Sequence, residues 1–193
     1  MTKKKKYKKK LEMFSLTESK DKKVLNIKPP DYQFCPFCGK KLKIRIEEEH
    51  ERKFCGSCNW TYYPHVAASV EAIIIKGSKV LMVRRNRDPY KGTWMFPAGF
   101  VDFGEHPEET LAREIREETG LRLKKSEFLL IFQTGDDPRS PGHFCIFYRV
   151  AVSGTKLRTD EEENQEIGWF DLRHPPKIGW ESHRFVIKFL QKG

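Results

Sequence analysis

The 193-residue sequence has no uninterrupted apolar run approaching the roughly 20 residues that cross a bilayer, so no membrane span is expected. Behind the basic start MTKKKKYKKKLEMFSLTES there is no apolar stretch, and residues 1–30 contain no arginine. Neither a secretory signal nor an organelle-targeting segment is read there, and a cytoplasmic protein is the expectation. Positive charge is also scarce where the formal net charge of +10 suggests abundance. Residues 1–30 hold eleven lysines against three acids, a balance of +8, which leaves +2 for the other 163 residues. The basic character therefore belongs to an arm, read as a disordered extension that can bind polyanions weakly by counterion release.

Cysteine is sparse as well, with five in the chain, and four of them pair by spacing. Cys35-Pro-Phe-Cys38 and Cys55-Gly-Ser-Cys58 lie sixteen residues apart, while Cys145 stands alone in an apolar strand. With no export signal, disulfides are disfavoured, and C-x2-C-x16-C-x2-C matches a four-thiolate zinc site. Four protein ligands leave no open position for water, so Cys35, Cys38, Cys55 and Cys58 are expected to hold a structural Zn²⁺. Between the pairs, Leu42, Ile44 and Ile46 alternate with charged residues before EEEHE turns the chain, a hairpin pattern.

From Val66 the texture changes. SVEAIIIK and KVLMVRR read as strands joined at Gly77-Ser78, and TWMFPAG as a short strand ending at Gly99. Pro107 to Thr119 reads as a helix, with Pro107 at its first position, Glu108 and Glu109 at the positive end of its dipole, and Gly120 as its stop. EFLLIFQT, HFCIFYRVAV and EIGWFDL read as further strands, and residues 182–190 as a terminal helix. This order predicts an α+β fold or a layered α/β/α domain in place of a doubly wound parallel sheet.

On the helix from Pro107, Glu114, Glu117 and Glu118 stand at i, i+3 and i+4, and no lysine or arginine follows any of them at i+4 on that helix. Such carboxylates repel one another unless they are solvated or share a hard divalent cation, and the triple alone leaves both readings open. Gly99 could bring a backbone carbonyl to the same cation.

The longer stretch reads Gly99, five residues, Glu105, seven residues, then Arg113-Glu114-Ile115-Arg116-Glu117-Glu118-Thr119-Gly120-Leu121. It resembles the Nudix box, GX5EX7REUXEEXGU with U apolar, at every specified position. The resemblance extends from about Val66 to the C-terminus. It implies a Nudix-type α/β/α sandwich with a mixed sheet, and attack of water on a diphosphate linkage assisted by Mg²⁺ or Mn²⁺. Carried over, Gly99, Glu114, Glu117 and Glu118 would be metal ligands. Glu105 would hold the box loop or contact metal through water, and Arg113 would orient its carboxylate neighbours. Glu117 or Glu118 could act as base, as could Glu166 from a later loop, whereas Glu161 to Glu163 read as a solvated acidic turn.

The expected organisation is an arm over 1–30, a zinc ribbon over 31–64 and a Nudix domain over 65–193. A ribbon before such a domain resembles NADH pyrophosphatases, but their motif SQPWPFPxS is absent here. The pattern is closer to zinc-ribbon members acting on ADP-ribose, FAD or related nucleoside diphosphate derivatives, releasing a nucleoside monophosphate. Two alternatives are a nucleic-acid-binding module using ribbon and arm, and a hydrolase of RNA 5′ ends. Tyr90, Trp94, Phe96, Phe132 and Trp180 are candidate base-stacking rings, and Arg84, Arg85, Arg87 and Arg139 candidate phosphate partners. His65, His143 and His183 are read as structural. Substrate-binding residues and oligomeric state are not read from the sequence.

Overall fold

A computed structural model describes residues 31–134, 136–140 and 142–192. The lysine arm expected over 1–30 lies outside them. No helix among the described residues is long and apolar enough to cross a membrane. The described residues up to Val66 form one compact unit and those from Ala67 onward another.

In the first unit, alternating residues build an antiparallel sheet of β1 (Lys43–Glu47), β2 (His50–Cys55) and β3 (Trp60–Tyr62). Glu48 and Glu49 turn the β1–β2 hairpin with φ of 50° and 64°, the positive angles that a two-residue hairpin loop demands. Its core is small: Cys35, Leu42 and Cys55, with Trp60 packed against them.

The second unit holds a mixed sheet in the order β10-β5-β4-β9-β8, with β6 added to β5 and β7 to β4. The strands are β4 (Ala68–Lys76), β5 (Lys79–Arg85), β6 (Trp94–Met95), β7 (Ala98–Phe100), β8 (Arg122–Gln133), β9 (Phe144–Ser153) and β10 (Asn164–Asp171). β4 and β9 run parallel, and the remaining strand pairs are antiparallel. Helix α1 (Pro107–Thr119) lies on one face and α2 (Glu181–Leu190) on the other.

The period of two in the strands sorts the layers. Val70, Ala72 and Ile74 pack with Leu111 and Ile115 of α1, while Ile73, Met82 and Phe147 pack with Val186 and Ile187 of α2. Burying each such side chain contributes about 1.5–3 kcal/mol. The fold is the expected α/β/α sandwich.

The β4–β5 hairpin departs from expectation. It pairs only at its tip, Ile75 with Val80 and Lys76 with Lys79, after which the strands diverge. β7 pairs with β4 and β6 with β5 in the gap, and Pro97 between them accepts from the Ala72 amide at 2.8 Å. Alternating apolar residues cannot report this split, because both strands stay buried on either side of it. The opening becomes the cavity described next.

Candidate active site

Helix α1 is capped so that its glutamates are held in place. His106 accepts from the Glu108 amide, and Glu109 accepts from the His106 amide at 2.9 Å, a reciprocal cap. Gly120 ends the helix with φ of 71°. Glu114 and Glu118 fall on its buried side, whereas the Glu117 side chain is 45% exposed.

Arg113 ties the carboxylates together. Its Nε and Nη2 donate to the two oxygens of Glu105 at 3.1 and 3.0 Å, and its Nη1 donates to Glu114 at 2.7 Å and Glu117 at 3.4 Å. Thr110 Oγ1 also donates to Glu105, at 2.7 Å. The Arg113 pair holds the Glu105 carboxyl down to about 2. Glu105 is therefore ionised at any working pH and acts as the anchor of the loop before α1.

Glu118 is 1% exposed, and its hydrogen-bond partners among the described residues are neutral donors. Its Oε2 accepts from the Ala98 amide at 2.8 Å, and its Oε1 from Asn164 Nδ2 at 2.7 Å. Burial pushes its carboxyl up to about 8, with the Asn164 bond offsetting part of the shift. Burial also raises Glu114, against the pull of Arg113. Two buried carboxylates side by side are a poor arrangement for stability alone.

Gly99 shows how closely the backbone approaches them. A Cβ built there would lie 1.9 Å from Glu114 Oε1, so an alanine must displace the carboxylate. Gly99→Ala is expected to reduce turnover by about a hundredfold, the scale associated with misplacing a reacting group by an ångström. Steady-state kinetics alongside a thermal melt would check this, and unchanged kcat would count against a role for the Gly99–Glu114 contact.

Glu114, Glu118 and Gly99 line a cavity of about 160 Å³ between the diverging strands, opposite Glu163 and Arg87. Glu117 does not line it. Neither does Glu166, which is half-exposed on β10 and receives Arg84 Nη1 at 3.3 Å. The β10 register shifts between Asn164 and Glu166, and Asn164, not Glu166, meets Glu118. Glu163, read from sequence as solvated, pairs with Arg87 and lines the cavity.

Part of the wall comes from residues that sequence reasoning passed over or left structural, among them Ser69, Glu71, His143, Cys145, Ser182 and His183. One signal was legible, since Glu71 is a lone carboxylate inside the apolar run SVEAIIIK and must be buried by it. Of the candidate rings, Trp180 lines the cavity, Tyr90 packs edge-on to it at 4.7 Å, and Phe96 is core. Trp94 packs on Phe170 and Phe132 on Phe185. Arg85 and Arg139 also line the cavity, while Arg84 does not.

In the first unit, the sulfurs of Cys35, Cys38, Cys55 and Cys58 all lie within 4.8 Å of one another, with Cys38 and Cys55 3.6 Å apart. All are free thiols. The Cys58 amide draws Cys55 down to about 7, whereas the crowding thiols, Cys38 first, push Cys58 up to about 12. Such a cluster can hold a metal ion that prefers sulfur.

Comparison with known proteins agrees with this geometry. A family model described as "NUDIX domain" matches residues 64–189, and a zinc-ribbon model described as "Nudix N-terminal" matches residues 33–64. The "ADP-ribose pyrophosphatase" of Methanocaldococcus jannaschii is 33% identical over 155 residues, covering 79% of this chain and 87% of that protein. The "NAD-capped RNA hydrolase NudC" of Pectobacterium carotovorum is 26% identical over 76% of this chain, which spans about half (54%) of that protein. Among solved structures, a NUDIX hydrolase from Nitrosomonas europaea aligns with a TM-score of 0.70 at 25% identity, covering 83% of this chain and 92% of that one.

Proposed function

Because this chain belongs to the Nudix hydrolase family, we propose that it hydrolyses the diphosphate linkage of a nucleoside diphosphate derivative such as ADP-ribose or FAD and releases a nucleoside monophosphate. The observation that carries this reading is the pair of buried carboxylates, Glu114 against Gly99 and Glu118 on the Ala98 amide, lining a cavity that also holds arginines.

The residues fit a hard divalent cation. Glu118 receives only neutral donors, and Glu114 sits where a Cβ at Gly99 would collide with it. This all-oxygen set suits Mg²⁺ or Mn²⁺, with Glu114, Glu118 and the Gly99 carbonyl as holders and Glu117 at the exposed rim. Such an ion, when bound, neutralises charge on the phosphates and lowers the pKa of a water.

The protein's own residues supply the rest. Arg113 keeps Glu105, Glu114 and Glu117 in register, so the carboxylates need no reorganisation during reaction. Arg87, on the cavity wall beside Glu163, provides positive charge for the substrate's phosphates. Position on that wall favours Glu163 over Glu166 as the group that takes the proton from the attacking water.

The proposed organisation keeps residues 31–64 as a ribbon around a structural Zn²⁺ and 65–193 as the catalytic domain, with reduced cysteines suiting a cytoplasmic setting. The test is a panel of ADP-ribose, FAD, NADH, nucleoside triphosphates and NAD-capped RNA with Mg²⁺ or Mn²⁺. The capped RNA is included because relatives at 26% identity bear that activity in their name. Monophosphate release from at least one diphosphate derivative is expected, and no turnover of any member would sink the proposal.

A further inference from the structure

Buried polar atoms in native folds almost always have a hydrogen-bond partner, so the exceptions mark places where something else completes the bonding. Among the described residues four side-chain atoms are buried and unpartnered: Arg45 Nε in the first unit, and Glu71 Oε2, Arg85 Nη2 and Asn164 Oδ1, whose residues all line the same cavity. Asn164 stands beside Glu118, at the carboxylate end already discussed. Glu71 and Arg85 belong to no part of the diphosphate chemistry.

Glu71 is 2% exposed on β4. Its Oε1 accepts from Ser69 Oγ at 2.5 Å, and Cys145 is also beside it. A buried carboxyl is the wrong neighbour for a phosphate, since the charges would repel in a setting of low dielectric. It suits a neutral part of the substrate that offers an N–H. A donor supplied to Oε2 would favour the carboxylate form, as Ser69 does at the other oxygen.

Arg85 offers the complementary group. Its Nε donates to the Pro89 carbonyl at 2.7 Å and its Nη1 contacts Met95 Sδ at 3.4 Å, which leaves Nη2 as a buried donor. Its guanidinium lies 5.3 Å from the centre of the Trp180 ring. Arg139 lies 5.8 Å from Phe100 and 5.9 Å from Trp180. Arg85, Arg139, Phe100 and Trp180 all line the cavity, and such planar groups suit a flat ligand.

We propose that the part of the cavity walled by Glu71, Arg85 and Trp180 is a nucleobase site, in which Glu71 accepts from an exocyclic amino group and Arg85 donates to a ring acceptor of the same base. This rests on the reading that the Glu114–Glu118 end receives the diphosphate, and it assigns the amino-bearing base to the other end. Glu71 is then a specificity residue that takes no part in bond breaking.

The test separates the two readings by measuring binding apart from hydrolysis. The full chain is titrated calorimetrically with AMP and with IMP, which carries a carbonyl in place of the amino group, without added Mg²⁺ or Mn²⁺. AMP is expected to bind tighter by about tenfold or more, because a site built around a hydrogen bond disfavours the analogue that lacks it. Glu71→Leu should bring AMP down to the level of IMP. Glu71→Gln should keep AMP within about threefold, since Ser69 can turn to accept from the amide, and should gain IMP, because the amide can donate to a carbonyl.

The Gln variant keeps the test decisive if Leu fails to fold. In a parallel assay of ADP-ribose against its inosine counterpart with Mg²⁺, the Leu variant should raise KM for ADP-ribose and leave kcat near the wild-type value. Equal binding of AMP and IMP by the wild type, no AMP binding at millimolar concentration, or a ratio unchanged in both variants would overturn the proposal. Hydrolysis without base discrimination would remove the base site and leave the diphosphate reading standing. AMP preference without hydrolysis of any diphosphate would do the reverse.

Discussion

Glu118→Gln is expected to lower kcat on the diphosphate substrate by on the order of a thousandfold and to leave the protein folded. The substitution keeps shape and removes charge. Glu118 receives donors at both oxygens, from the Ala98 amide and Asn164 Nδ2, so a glutamine would seem to set its own NH₂ against one of them. Asn164 resolves this because its Oδ1 is free. Turning the Asn164 amide over lets it accept from the new NH₂, while the new carbonyl still accepts from Ala98. The hydrogen bonds survive and the negative charge does not. Glu117→Gln, on the exposed side of the helix, should cost less. Equal turnover by Glu118→Gln and wild type would refute the assigned role.

The same variant has a stability signature. The folded-state values of Glu71 and Glu118, about 8, lie above their ordinary 4.5, so between those pH values the unfolded chain binds fewer protons. Stability from these groups is complete below 4.5 and is lost as pH rises toward 8. His183, drawn down to about 3 by burial, works in the opposite sense, but its contribution is complete by about pH 6.5. In the window from 6.5 to 8 only Cys55, drawn down to about 7, works against the glutamates, and because it is common to wild type and variant the difference between the two reads Glu118 alone. In urea titrations without divalent ions, wild type should lose on the order of 2–3 kcal/mol across it, and Glu118→Gln about half as much. Mg²⁺ should remove the Glu118 share of the wild-type loss, since it stabilises that group's ionised folded form, and leave the Glu71 share.

Stripping zinc should produce the other large change, confined to one part of the chain. The ribbon core is only Cys35, Leu42 and Cys55 with Trp60, and units of fewer than about 40 residues seldom fold without a metal or disulfides. Apparent zinc contributions in such modules reach about 10–16 kcal/mol. Hydrogen exchange after chelation, or in Cys55→Ser, should show amides of β1–β3 losing protection. Strands β4, β5 and β9 should keep theirs, because two apolar cores of their own support them. Metal analysis should find about one zinc per chain before treatment. Protection that persists in β1–β3 after complete removal would show that the thiols do not hold the module.

What could be read from the sequence was what chain-local rules encode. Helix 107–119 was legible from Pro107, its acidic first turn and Gly120, because caps act within a few residues. The meeting of four thiols was legible because two short turns fix each pair, leaving only their mutual approach to be made. Glu114 and Glu118 were placed on one face by helical spacing alone. That same spacing put Glu117 with them, whereas its rotation about the axis carries it to the exposed rim beside Arg113. Residues 161–171 were read less well. An acidic run preceding a strand looks uniformly solvated, and the register shift that turns Asn164 toward Glu118 and leaves Glu166 outside has no marker in composition.

The sequence by itself determined the family, the order of elements and the chemical character of two clusters, since each rests on residues at fixed short separations. Only the tertiary structure decided what surrounds the carboxylates. Strands β4 and β5 part beyond their shared tip, and the gap draws Glu71, Arg85, His143, Glu163 and His183 around one cavity from positions more than a hundred residues apart. No period or spacing encodes that convergence, because it follows from which strand each neighbour chooses and where the sheet opens.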